Sequence, residues 1–172
     1  GSNRPAARVS LRESFMEHDL NTPEDADNYM MKSDSLGAGD KGFQDIFRDT
    51  LHHMAETGDP LLVHCAAGKD RTGTLVALIQ GILGVPDAHI RTDFLLTNEA
   101  VDVESFLEPA SEAFAKRYGR RIHPDALRPM FGVKIDYLDS ALAKMGDYHQ
   151  YTKDVLGLSH QDITRIRGHY LA

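Results

Sequence analysis

Apolar residues recur along this chain at intervals that mostly predict helices. "FQDIFRDTLHHMAE" places Phe43, Ile46, Phe47, Leu51 and Met54 at helical spacing, which predicts an amphipathic helix closed by "TGDP". Before it, "TPEDADNYMM" has Thr22 at a cap, Pro23 at the first helical position and acids in the first turn. "KSDSLGAGDKG" between the two reads as a loop, with Gly37, Gly39 and Gly42 as breakers. "LLVH", after Pro60, is short and wholly apolar, the pattern of a fully buried strand. "RTGTLVALIQGILG" follows as a helix apolar nearly all round, hence central, stopped by Gly84 and Pro86. "PDAHIRTDFLLTNEA" predicts one further helix, and "VESFLEPASEAFAKRY" a helix broken at Pro109. "PDALRPMFG", "KIDYLDSALAKMG", "DYHQYTKDVLG" and "SHQDITRIRGHYL", the last capped by Ser159, make the second half almost entirely helical. "RVSL" near the start is a short strand or a connection. The pattern predicts an α/β fold with one convincing strand.

Composition narrows the function. The 172 residues suffice for one domain with a real core. A net charge of −7 argues against a general nucleic-acid binder, yet a local field can still hold an anion. No apolar run is long enough for a spanning helix, and the first residues show no signal-peptide core. The single cysteine, Cys65, permits no intramolecular disulfide and suits a reducing, cytoplasmic setting.

That cysteine stands in "HCAAGKDRTG", between the predicted strand and the central helix. Loop amides before a helix N-terminus point together and carry partial positive charge, which makes an anion cradle. Ala66, Ala67, Gly68, Lys69, Asp70 and Arg71 form the predicted phosphate-binding set. Gly68 allows the tight curl, and the Arg71 fork can take two phosphate oxygens. The same dipoles and Arg71 should favour the Cys65 thiolate, an in-line nucleophile beneath a bound phosphate. Thr72 can serve the sulfur as a leaving group, and His64 is expected beneath the loop, holding its shape. No cofactor is required. The nine histidines lack metal-ligand spacing, and His52 and His53 read as a helix surface. A nucleotide-binding loop fails as well: Val63 or His64 stands where its first glycine belongs, and Asp70 follows Lys69.

"H-C-x-x-G-x-x-R-T-G" resembles the signature of the cysteine-dependent phosphatases, the protein-tyrosine phosphatase superfamily. A chance match of its six fixed positions is on the order of one in a million. The fuller "HCAAGKDRTG" is similar to the tyrosine/serine phosphatases with Lys and Asp inside the loop. "GVPDAHIRTDFLLTN", the C-terminal helices with their "LGLS" turn, and "NYMM" extend the likeness over most of residues 26–172.

The resemblance implies a central, parallel-type sheet flanked by helices and a phosphoprotein substrate, with phosphoinositides as the alternative. It implies that Asp70 is the general acid, against a competing role in orienting Arg71 or a water. Lys69 becomes a second cation at the rim, against a solvated surface lysine. Helices within residues 100–130 become a lid, with Phe106, Phe114, Met130 and Phe131 facing the cleft, against ordinary core packing. Asp93 holds the loop arginine or a lid contact, or is plain helix surface. The basic run Lys116, Arg117, Arg120, Arg121 and His123 reads as a solvated helix end or as a site for an acidic head group or phosphopeptide. A catalytically inactive phosphate-binding module is the reading from another class. Residues 1–172 are expected to be a single phosphatase domain. The resembling proteins carry an earlier segment that adds strands and a "DLR"-type motif. A lone parallel strand leaves ladder groups unpaired, so a missing segment or a second chain is expected to complete the sheet.

Overall fold

Thr22 and Asp25 start the first described helix by capping each other. The Asp25 amide donates to the Thr22 hydroxyl at 3.1 Å, and the Thr22 amide to the Asp25 carboxylate at 3.0 Å. The computed structural model describes residues 20–171, and every regular element among them is a helix. "RVSL" lies outside the described residues.

The first helix, α1 (Pro23–Gly39), runs straight through the stretch expected to be a glycine loop. Only Asp40 separates it from α2 (Lys41–Thr57). Two features offset the helix cost of glycine, about 1 kcal/mol each. Gly37 lies against the Phe43 ring, and the Asp40 carboxylate caps α2 by accepting from the Gly42 and Phe43 amides at 2.8 and 3.2 Å. α2 buries Phe47, Leu51, Met54 and Ala55, but Ile46, expected on that face, is 52% exposed. Gly58 closes it in the left-handed conformation, φ 68°.

"LLVH" is not a strand. It pairs with no other segment among the described residues, and Leu62 is 88% exposed while Val63 packs inward. Leu61 and His64 are exposed as well, and a ladder needs a neighbour some 4.8 Å away. The expected central sheet is therefore absent from the described residues.

The remaining helices are α3 (Asp70–Leu83), α4 (Asp87–Leu95), α5 (Thr97–Ala100), α6 (Val103–Tyr118), α7 (Pro124–Phe131), α8 (Ile135–Met145), α9 (Tyr148–Asp154) and α10 (His160–Tyr170). The helix expected over 86–100 is thus two, α4 and α5. Pro109 does not break α6. It removes one bond to the Ser105 carbonyl, but both residues are exposed, which keeps the cost of that loss low. Ser159 forms a full capping box with Asp162 on α10.

Two compact units divide the described chain. Residues 20–30 and 98–132 form one, around Leu20, Leu107, Ile122 and Leu127. There the buried Ser111 hydroxyl donates to the Ile122 carbonyl. Residues 31–97 and 133–171 form the other, which holds the loop. Its main core joins α2, α3 and α10 through Leu51, Leu78, Ile82 and Ile166. All four are fully buried, worth about 1.5–3 kcal/mol apiece. A second cluster packs α3 on α4 and α8 through Ala77, Ile90, Phe94 and Leu138. α3 is thereby fixed from both sides, and the loop at its N-terminus is held with it. No helix among the described residues is long and apolar enough to cross a membrane.

Candidate active site

The loop reaches α3 through two backbone devices. Gly68 takes φ 71°, and a Cβ there would meet nothing within 4 Å, so its requirement is conformational. Lys69 then serves as the N-cap, its carbonyl accepting from the Gly73 amide at 2.7 Å. Gly73 is required for space instead: a Cβ there would lie 2.6 Å from the Phe94 ring on α4. Two glycines of the motif thus do different work.

Cys65 is half-buried at the mouth of this loop. Burial raises its pKa, but the donors of the Thr72 hydroxyl and amide, then the Ala67 and Gly68 amides, outweigh it. The net effect holds the thiol below its ordinary value. The Thr72 hydroxyl is buried and closes no hydrogen bond, to the sulfur or to any other acceptor.

Asp70 and Lys69 are paired. The Lys69 Nζ lies 2.9 Å from Asp70 Oδ1, with the lysine side chain only 5% exposed. Lys69 is therefore not a cation at the rim but a buried partner of the loop acid. Burial raises the Asp70 pKa, and Lys69, then Arg71, pull it back without cancelling the rise. Arg71 is exposed, its guanidinium 5.0 Å above the Phe43 ring on α2. Ala66 and Ala67 are exposed beside it. His64 is exposed too, and its Nδ1 meets only the neighbouring Cys65 carbonyl, at 3.4 Å. The expected position beneath the loop is not the one it occupies.

Asp93 lies at a cavity of about 140 Å³ lined also by Gly68, Lys69, Thr72 and Gln80. Its carboxylate accepts from Gln80 Nε2 at 2.9 Å, so it holds α3 rather than the loop arginine. Within their own unit, Phe114, Met130 and Phe131 pack on the core, and Phe106, half-exposed, stacks on Phe131 at 6.2 Å. In the basic run, Arg120 donates to Asn21, Arg121 pairs with Glu108, and Arg117 lies over Tyr118.

One residue at the loop was not anticipated. Asp34 of α1 has an inward carboxyl whose Oδ2 is buried and without a hydrogen-bond partner. Burial pushes its pKa to about 8; Asp70 adds to the rise, Lys69 and Arg71 oppose it, and Cys65 adds to it. A loop reading of residues 32–42 hid it. Read as helix, it is an acid at four-residue spacing between Met30 and Ala38, both buried.

Residues 5–172 match the tyrosine phosphatase family. The chain is 30% identical over 155 residues to a protein of Cupriavidus necator named as a tyrosine-protein phosphatase, covering 88% of this chain and 53% of that one. It is 31% identical over 127 residues to the triple specificity protein phosphatase PtpB of Mycobacterium tuberculosis, covering 67% and 45% respectively. The chain thus spans about half the length of these curated relatives.

Proposed function

We propose, since this chain belongs to the tyrosine phosphatase family, that it hydrolyses phosphomonoesters through a phosphocysteine on Cys65, with phosphotyrosine in proteins as substrate. The observation that carries this reading is the place of the half-buried Cys65 in the loop that leads into α3, where Thr72 and the Ala67 and Gly68 amides hold its thiol below the ordinary value. A thiolate favoured in this way attacks phosphorus in line. The S–P bond forms as the ester P–O bond breaks, and Asp70 gives its proton to the leaving oxygen. Water then attacks phosphorus, passes a proton to Asp70, and the sulfur leaves as thiolate with Thr72 donating to it. The loop amides and Arg71 take the equatorial oxygens through both steps.

Burial of Asp70 supports its role as the acid, because burial favours the protonated form. The lysine paired to it supplies no free rim charge for extra phosphates, so protein phosphate is preferred here over phosphoinositide. The missing sheet would be completed by further strands paired on Leu61–His64. The decisive assay compares wild type with Cys65→Ser on a phosphotyrosine peptide, with phosphoserine and phosphoinositide substrates in parallel. Loss of turnover in the variant is expected. Comparable rates would refute cysteine catalysis, and no turnover by wild type would favour a phosphate-binding module.

A further inference from the structure

Among the described residues Lys69 is the one charged side chain that is buried, at 5% exposure. Burying an ammonium group is costly, and a buried ion pair returns little net stability against apolar residues of the same volume. Its place in the loop therefore calls for a reason other than folding. The side chain is held at both ends. At the backbone, the Lys69 carbonyl accepts from the Gly73 amide at 2.7 Å, and the Asp70 carbonyl accepts from the buried Thr74 hydroxyl at 2.9 Å. Lys69 lines the cavity of about 140 Å³ with Gly73, Ala77 and Phe94. At its tip, Nζ donates to Asp70 Oδ1 at 2.9 Å.

We propose that Lys69 is a positioning residue of the reaction: it anchors the Asp70 carboxyl through Oδ1, so that Oδ2 carries the proton given to the leaving oxygen. This inference rests on the phosphocysteine reading above, with Asp70 as its acid. A carboxyl at the first position of a helix can turn about two side-chain bonds, and most orientations miss the leaving oxygen. A partner within hydrogen-bond reach removes that freedom, and a partner that is itself buried keeps it removed. The two cations flanking the acid thus divide the work. Lys69 turns inward and holds Asp70, while Arg71, exposed over the Phe43 ring, is left to the phosphate.

The pair stays closed through both steps. In the first, the proton passes from Asp70 Oδ2 to the leaving oxygen as S–P forms and P–O breaks. Negative charge then grows on the carboxyl, where the ammonium already stands to meet it. In the second, the attacking water returns a proton to Oδ2 as S–P breaks, so the acid ends as it began.

The test is a double-mutant cycle of Lys69→Met and Asp70→Asn, reading kcat and KM on an alkyl phosphate and an activated aryl phosphate. Met keeps most of the side chain's length and removes the ammonium. Lys69→Met should lower kcat about tenfold or more on the alkyl ester and less than about threefold on the aryl ester, with KM moving less than about threefold on either. Added to Asp70→Asn, it should cost less than about twofold further. Losses that multiply, equal loss on both esters, or a rise in KM with kcat unchanged overturn the proposal. A measurement on the lysine itself needs no lysine variant. In proton–nitrogen NMR of lysine ammonium groups, wild type should show a slowly exchanging signal that shifts in Asp70→Asn. Its absence, or a signal that does not shift, also overturns the anchor. Cys65→Ser separates the two readings. Turnover by that variant sinks the phosphocysteine itself, whereas an inactive Cys65→Ser with multiplying losses in the cycle sinks only the anchor.

Discussion

The Asp34 proton has a signature in stability that is independent of turnover. Folding lifts this carboxyl from 3.8 to about 8. A group raised on folding contributes fully below its unfolded pKa, and that contribution is lost as pH rises through the folded one. The window is therefore about pH 4 to 8. Each unit is worth 1.36 kcal/mol, so crossing about three units between pH 5 and 8 removes about 4 kcal/mol. Asp34→Asn keeps the shape of the side chain and removes the titration. Urea unfolding of both proteins at pH 5 and pH 8 isolates the effect, because the remaining titrations are shared. Wild type should lose about 4 kcal/mol more than the variant over that interval. With a urea slope of about 1–3 kcal/mol/M, the midpoints separate by about 2 M. Parallel losses in the two proteins would refute the burial of an unpaired carboxyl on α1.

Other residues around the loop give independent checks. Alkylation of Cys65 against pH should show a half-point below that of an ordinary thiol, and Thr72→Ala should move it up; an unchanged half-point would remove Thr72 from the sulfur. Phe43→Ala takes away the ring under Arg71, an interaction worth about 0.5–1 kcal/mol, and should raise KM about two- to fivefold with little change in kcat. A fall in kcat alone would contradict that placement. Gly73→Ala pushes a methyl into the Phe94 ring and should cost about 1–3 kcal/mol in thermal or urea unfolding. A neutral outcome would mean α3 and α4 are not in close contact there.

Helices whose apolar period and caps agree were legible in the sequence. Ser159 with Asp162 and Thr22 with Pro23 each name a start by chemistry that acts within one turn. The phosphate loop was legible for the same reason: its glycine conformation and its amides are local properties of ten residues. What depends on distant partners was not. "LLVH" has the composition of a strand, but pairing is decided by a neighbour, and none is present among the described residues. Gly37 and Gly39 suggest a loop, yet Gly37 lies against the Phe43 ring, α1 continues to Gly39, and Asp40 at once caps the start of α2. That single misreading concealed Asp34, whose meaning lies in the helix face it shares with Met30 and Ala38. Lys69 shows the same limit, since only the fold reveals that it turns inward to Asp70 rather than out to the rim.

The central claim is that phosphate passes through the sulfur of Cys65. Rapid acid quench of wild type during turnover, followed by peptide mass spectrometry, tests it directly. The phosphoryl group should be found on the peptide carrying Cys65, at its sulfur, and should be missing from Cys65→Ser. Phosphate on another residue, or steady turnover with no phosphoenzyme and an active Cys65→Ser, would contradict it.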